Sequence, residues 1–187
     1  MTVQAKTGRG LVSKGPQRRR AIARAGGRVL RRSGIEGLTH RAVAEEAGVP
    51  LGSTTYYFTS RDDLLLAAVE YSVDGNIKWL QDWAAANADS DIAETLPIML
   101  HEYLNERRAL AALDVEIYLL AARRPELRVH SSRWTASFID LLTGFVDHEV
   151  ASHTAATFNG LILRTVSSGE PAQLEELKSV LGRALRK

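Results

Sequence analysis

Between Leu38 and Leu66 the sequence reads LTHRAVAEEAGVPLGSTTYYFTSRDDLLL, and it dictates two short helices meeting at a fixed turn, with a longer one beginning just after. Thr39 is placed to cap the first helix, and Leu38 before it can pack on Val43 as a hydrophobic staple. Val43, Ala44 and Ala47 then form a narrow apolar stripe, while His40, Arg41, Glu45 and Glu46 lie on the wet side. Ala44 is small where a second helix must cross closely, and Gly48 stands where the turn needs a backbone that side chains resist. Pro50 suits the first turn of the next helix, because its missing N–H would be unpaired there in any residue. That second helix is expected from about Leu51 to Tyr57.

Helical spacing sorts its residues. Leu51, Thr54 and Phe58 fall on one side at steps of three and four and are expected to look inward. Ser53, Tyr56 and Tyr57 fall on the opposite side with Gly52, and Thr55 lies between. Hydroxyls and aromatic edges on a short exposed helix can meet phosphates and bases in a major groove, and Gly52 lets the backbone come close. This layout is that of a helix-turn-helix unit whose second helix reads DNA.

The pattern of Gly37-Leu38, Thr39, Ala44, Ala47-Gly48-Val49, Gly52-Ser53, Tyr57-Phe58, Arg61 and Leu64-Leu65 resembles the N-terminal domain of TetR-family transcriptional repressors. The resemblance runs through about Leu66. It implies that Arg41 can reach bases, that Ser53, Thr55, Tyr56 and Tyr57 are recognition-helix contacts, and that Arg61 meets a phosphate. With Thr39 and Gly52 these make up the expected DNA-facing set. The chain departs from the family at Thr55, where tyrosine is frequent, and at Gly26-Gly27 inside the first helix. A helix-interior glycine costs about 1 kcal/mol relative to alanine, so the first helix is expected to be loose.

Charge supports the same end of the chain. Residues 1–45 hold eleven Lys or Arg against two Glu, a net of +9 that leaves −7 for the remainder. Residues 1–15 carry Lys6, Arg9 and Lys14 with too little apolar content to fold alone, and are expected to be a disordered basic tail that samples the DNA backbone or minor groove. Arg18, Arg19 and Arg20 open the first helix, whose inward residues are expected to be Ile22, Ala25, Val29 and Leu30. The absence of cysteine excludes a disulfide frame and a thiolate zinc site. No apolar run approaches the roughly 20 residues that span a bilayer, and the first residues lack a signal-peptide core, so a cytoplasmic protein with no membrane partner is expected.

The remaining sequence shows helical period and no alternation, so an all-α fold of about nine helices is expected: a helix-turn-helix domain over 16–60 and a helical regulatory and dimerisation domain over 61–187. Ser60 and Asp63 form a capping box for a helix running to about Ala86, which Asp74-Gly75-Asn76 can bend. Further helices follow from about Asp91, kinked by Pro97, over Leu110 to Leu120, from about Pro125 to Glu149, from about Ser152 to Ser167 and from about Pro171 to Arg186. The last two carry apolar stripes, Phe158, Leu161, Ile162 and Thr165 on one and Leu174, Leu177, Leu181 and Leu185 on the other. The resemblance implies that such a pair joins a second copy in a four-helix bundle, and a symmetric operator requires a dimer.

For a small-molecule effector, Trp79, Trp83, Met99, Tyr103, Tyr118, Trp134 and Phe138 are the candidate cavity residues. Asp114 and Glu116 can recognise a polar or cationic group, although a solvated helix face accounts for them more simply. No catalytic motif, metal-ligand pair or cofactor signature is present, so no enzyme, metal or cofactor is expected. The expected function is a homodimeric repressor on a palindromic double-stranded operator, released by an unknown small-molecule effector. Two alternatives stand beside it: a DNA-binding regulator or architectural protein whose C-terminal half only dimerises, and a helical carrier or enzyme.

Overall fold

The computed structural model describes residues 14–186, so the tail expected over residues 1–15 lies almost wholly outside the described residues. Among the described residues the chain forms nine α-helices and one 3₁₀ turn. They are α1 (Lys14–Ser33), α2 (His40–Ala47), α3 (Leu51–Tyr57), α4 (Arg61–Ala86), α5 (Ile92–Asn105), α6 (Arg108–Arg123), α7 (Arg128–Leu142), α8 (His148–Ser168) and α9 (Leu174–Ala184), with the turn at Pro125–Leu127 before α7.

The local signals around α2 act as the sequence requires. Thr39 accepts from the Ala42 N–H at 3.1 Å, and Leu38 and Val43 are both fully buried. Gly48 closes α2 in the left-handed region at φ 63°, where Val49 N donates to Ala44 O at 3.0 Å. Ser60 likewise caps α4 through Asp63 N.

The first helix is continuous from Lys14 to Ser33. Gly26 and Gly27 lie where α1 crosses α4: a Cβ on Gly26 would meet the Ala68 Cβ at 2.9 Å, and one on Gly27 would meet the Tyr71 ring at 2.7 Å. Close approach of two backbones, rather than weak helix propensity, is what these residues supply. Ile22, Ala25, Val29 and Leu30 are buried beside the crossing, as expected. The helix α4 starts under the reading unit and continues to Ala86, so the C-terminal half is joined to α1–α3 by one unbroken rod.

Several boundaries differ from the expected ones. The Asp74-Gly75-Asn76 stretch and the buried Pro97 lie within α4 and α5, whose hydrogen-bonded spans run on past them as the expected bend and kink allow. The helix expected to run to Glu149 ends at Leu142 in a turn that includes Gly144, and Asp147 caps α8 by accepting from Val150 N at 3.0 Å. The start of α9 is delayed to Leu174, because the Asn105 amide both donates to Ala172 O (3.2 Å) and accepts from Ala172 N (3.1 Å), holding that segment in place.

The larger correction concerns the stripes assigned to a second copy. Phe158, Leu161, Ile162, Thr165, Leu177 and Leu181 are buried within the single chain, and Leu174 and Leu185 are half-buried. Phe158 packs on Phe138 with ring centroids 4.5 Å apart, so this face of α8 is internal core. Amphipathicity reveals that a helix has an apolar face but not which neighbour covers it.

Candidate functional site

The reading helix is fixed from beneath by two residues. Thr54 is fully buried and donates from its hydroxyl to Leu51 O at 2.8 Å, and Phe58 is buried with the Arg19 guanidinium 4.7 Å from its ring centroid. Leu51, expected inward with them, is instead 47% exposed in the first turn of α3. Gly52, Thr55 and Tyr56 are exposed, Ser53 and Tyr57 are half-buried, and the two tyrosine rings meet edge to face at 5.0 Å. Arg41 is exposed on α2, and the Thr39 hydroxyl is occupied in capping. Behind this surface Glu46 holds α2 to α1, accepting from Arg28 at 2.6 Å and Arg32 at 2.7 Å. Those two donors hold its carboxyl below the usual range.

Arg61 has a different position from the one expected. Its Nε donates to Leu38 O at 2.8 Å and its Nη2 to Ile35 O at 2.6 Å, so its guanidinium braces the α1–α2 loop. The Ile35 peptide is held on its other side as well, since its N–H donates to Glu116 Oε2 at 3.0 Å. A carboxylate of α6 thus grips the loop that leads into the α2 cap, and Arg124 at the end of α6 pairs with Asp62 at 2.7 Å. Glu116 is therefore not a solvated side chain, and the sequence offers no sign of a contact 81 residues distant.

The opposite side of α6 faces a cavity of about 240 Å³ between α6, α7 and α8, bounded by Asp114, Val115, Tyr118, Leu119, Trp134, Asn159, Gly160, Ile162 and Leu163. Of the aromatic residues expected there, Tyr118 and Trp134 line it. Met99 and Phe138 are core, and Tyr103 is buried behind Asp114. Trp79 stacks on Tyr103 under Arg107, and Trp83 is half-buried on α4 away from the cavity wall. Ile162, expected at a dimer contact, is a cavity wall instead.

Asp114 is the residue that the sequence reading undervalued. It is 9% exposed, accepts from Tyr103 Oη at 2.5 Å and from Asn76 Nδ2 at 3.1 Å, and so links α6 to α5 and α4. Burial pushes its carboxyl up to about 7, against the opposing effect of those two donors. Burial also raises the Tyr103 and Tyr118 phenols, so both are neutral near pH 7. Tyr118 Oη and Thr135 Oγ1 share a 2.5 Å hydrogen bond, with Asn159 Nδ2 3.4 Å from the phenol.

Comparison with known proteins finds two family models. Residues 22–68 match the one described as bacterial regulatory proteins, tetR family, and residues 87–187 match the tetracyclin repressor-like C-terminal domain. Among solved structures, the multidrug binding protein EbrR complexed with proflavin is 36% identical, with 89% of this chain and 99% of that chain covered and a TM-score of 0.76. EbrR has also been solved with ethidium, imidazole and malachite green. The TetR-family member SCO1917 from Streptomyces coelicolor A3 is likewise 36% identical over 92% of this chain and all of its own, with a TM-score of 0.74. The HTH-type transcriptional regulator PksA of Bacillus subtilis is 43% identical over 54 residues, and this match spans only 26% of its length.

Proposed function

Because the chain belongs to the TetR family of bacterial transcriptional regulators, we propose that it is a homodimeric repressor that reads a palindromic operator with α3 and leaves it when a small molecule fills the α6–α8 cavity. The observation that carries the DNA half of this reading is the sorting of α3: Thr54 and Phe58 are locked in the core, while Gly52, Ser53, Thr55, Tyr56 and Tyr57 remain on the outer side. Leu51 joins them as an apolar group suited to a thymine methyl, and Arg41 adds a cation on α2. Residues 16–60 act as the reading head and residues 61–187 as the regulatory unit.

Dimerisation uses the outer face of α8 rather than the buried stripe. His153, Ala156, Gly160 and Leu163 are exposed there at alternating steps of three and four, and Leu163 is 50% exposed. A Cβ on Gly160 would meet nothing within 4 Å in its own chain, so another copy can pack closely there, and because Gly160 and Leu163 also border the cavity, that copy would form part of its wall. Coupling to the reading head runs through α6, which bears Asp114 at the cavity and Glu116 on the Ile35 N–H. A ligand that binds one position of α6 better than another biases the loop before α2 by that difference in affinity. The relatives solved with bound small molecules support the effector half of the reading.

Selection of bound duplexes from random DNA tests the proposal. A palindrome bound in a strongly salt-dependent way is expected, and Arg41→Ala and Tyr57→Ala should each weaken it by about 1–3 kcal/mol. Absence of duplex binding, or indifference to both substitutions, refutes the reading.

A further inference from the structure

We infer that the outward face of α1 is a second DNA-contacting surface, an arginine ridge that holds the phosphate backbone of the duplex flanking the half-site read by α3, without reading its sequence. This goes beyond the operator reading above and rests on it. Arg20, Arg24 and Arg31 are exposed, and at about 100° per residue they lie within about 40° of one another around the α1 axis, on the side away from the buried Ile22 and Val29. They span about 16 Å along the helix. Arg28 and Arg32 stand beside them, and both are taken by Glu46 of α2. Arg20, Arg24 and Arg31 enter no ion pair or hydrogen bond among the described residues.

Nothing in α1 itself compensates this charge. From Lys14 to Ser33 the helix has no acidic residue, and Arg20, Arg24, Arg28 and Arg32 follow one another at steps of four, where like charges repel. Such a row costs the isolated protein stability, and a polyanion laid along it removes the repulsion. The cations are guanidiniums, whose planar forks pair with phosphate oxygens two at a time. Gln17 and Ala21 are the exposed residues beside them, so the face offers neither an aromatic platform for single-stranded bases nor an apolar centre for a protein partner. Duplex backbone is the polyanion that needs neither. Thr54 Oγ1 of α3 lies 3.4 Å from the His40 carbonyl, whereas Glu46, six positions on and about 120° around α2, faces α1. The α2 helix thus stands between α3 and the ridge. In a helix-turn-helix this helix crosses the backbone beside the groove that the reading helix enters, so a cationic surface on its far flank meets duplex outside the half-site.

Full-length protein is titrated over a salt series with the duplex selected as operator in two lengths, bare and carrying about 10 base pairs, one helical turn, of arbitrary sequence on each side. Wild type should bind the armed duplex at least about tenfold more tightly at low salt, with log K falling more steeply against log salt by about 0.9 for each arginine engaged, up to about 3 per subunit. Two unrelated arm sequences should give the same gain, because phosphate contacts carry no sequence information. Arg20→Gln, Arg24→Gln and Arg31→Gln combined should abolish the gain and the extra slope while leaving affinity for the bare operator nearly unchanged. The same variant should unfold in urea no earlier than wild type, since glutamine matches arginine as a helix former and the repulsion is gone. An armed duplex bound no more tightly than the bare one, a gain that depends on arm sequence or survives the triple substitution, or an equal loss on both duplexes overturns the inference. Earlier unfolding of the variant assigns these arginines to the fold and overturns it as well. If no duplex is selected from random DNA, the operator reading falls and takes the ridge with it. If the bare operator is bound and the arms add nothing, the ridge alone fails.

Discussion

Replacing Gly26 by alanine sets two effects of comparable size against each other. Helix propensity alone favours the change, since an interior glycine costs about 1 kcal/mol relative to alanine. The crossing opposes it, because the new Cβ would sit 2.9 Å from the Ala68 Cβ, inside van der Waals contact, and Ala68 is fully buried on α4 with no flexible end to move. Forcing a methyl into a packed interior costs about 1–3 kcal/mol, typically through a backbone shift. The net expectation is a loss of about 1 kcal/mol, which at a slope of about 2 kcal/mol per molar lowers the urea midpoint by about 0.5 M. Midpoints must be compared at one protein concentration if the chain is dimeric. The double variant Gly26→Ala with Ala68→Gly moves the methyl from one helix to the other and should recover about 1–2 kcal/mol relative to the sum of the single changes. A Gly26→Ala midpoint above wild type, or strict additivity in the double variant, would show that α1 tolerates a side chain at the crossing. Gly27→Ala should lose less, because the Tyr71 ring it meets is half-buried and can turn.

Other outcomes can be set beside this one. Glu116→Ala removes the acceptor of the Ile35 N–H and should reduce the effector's influence on operator affinity, a coupling typically of about 1–3 kcal/mol, while Glu116→Gln retains an acceptor and most of the effect. Operator titrations with and without effector decide this, and unchanged coupling in the alanine variant sinks it. Thr39→Ala deprives the Ala42 N–H of its partner and should lower stability by about 1 kcal/mol in urea unfolding, with no loss at all counting against the cap. The folded Asp114 carboxyl is raised from 3.8 to about 7, so the native chain holds this proton more tightly than the unfolded chain does. Its contribution to stability is full below the unfolded value, is lost as pH rises through about 7, and is constant above. Unfolding midpoints at about pH 5 and about pH 8 should therefore differ more in wild type than in Asp114→Asn, and equal differences refute the assignment.

The reading head was legible because its determinants are local. A staple, a cap, a left-handed glycine and a proline at a helix start act within a few residues, so Leu38, Thr39, Gly48 and Pro50 announce their roles in order along the chain. The same holds for the all-α class and for Thr54 and Phe58 as the inward side of α3. Leu51 misled because helical spacing gives a direction around an axis but not whether anything packs against that side at the helix's first turn.

What depended on the tertiary structure involves partners far apart in sequence. Gly26 and Gly27 look like weaknesses of a helix until Ala68 and Tyr71 of α4 lie against them. The apolar stripe of α8 reads the same whether a second copy or α7 covers it, and Phe138 decides for the chain's own core. Asp114 and Glu116 stand two positions apart on α6, yet one closes a cavity floor with residues of α4 and α5 while the other grips a loop 81 residues upstream. Sequence periodicity determined that α6 would be a helix with a buried side. Only packing could set one carboxylate at a cavity and the other on the α1–α2 loop, because a side chain's chemistry depends on its solvent and partners, and these are supplied by distant segments.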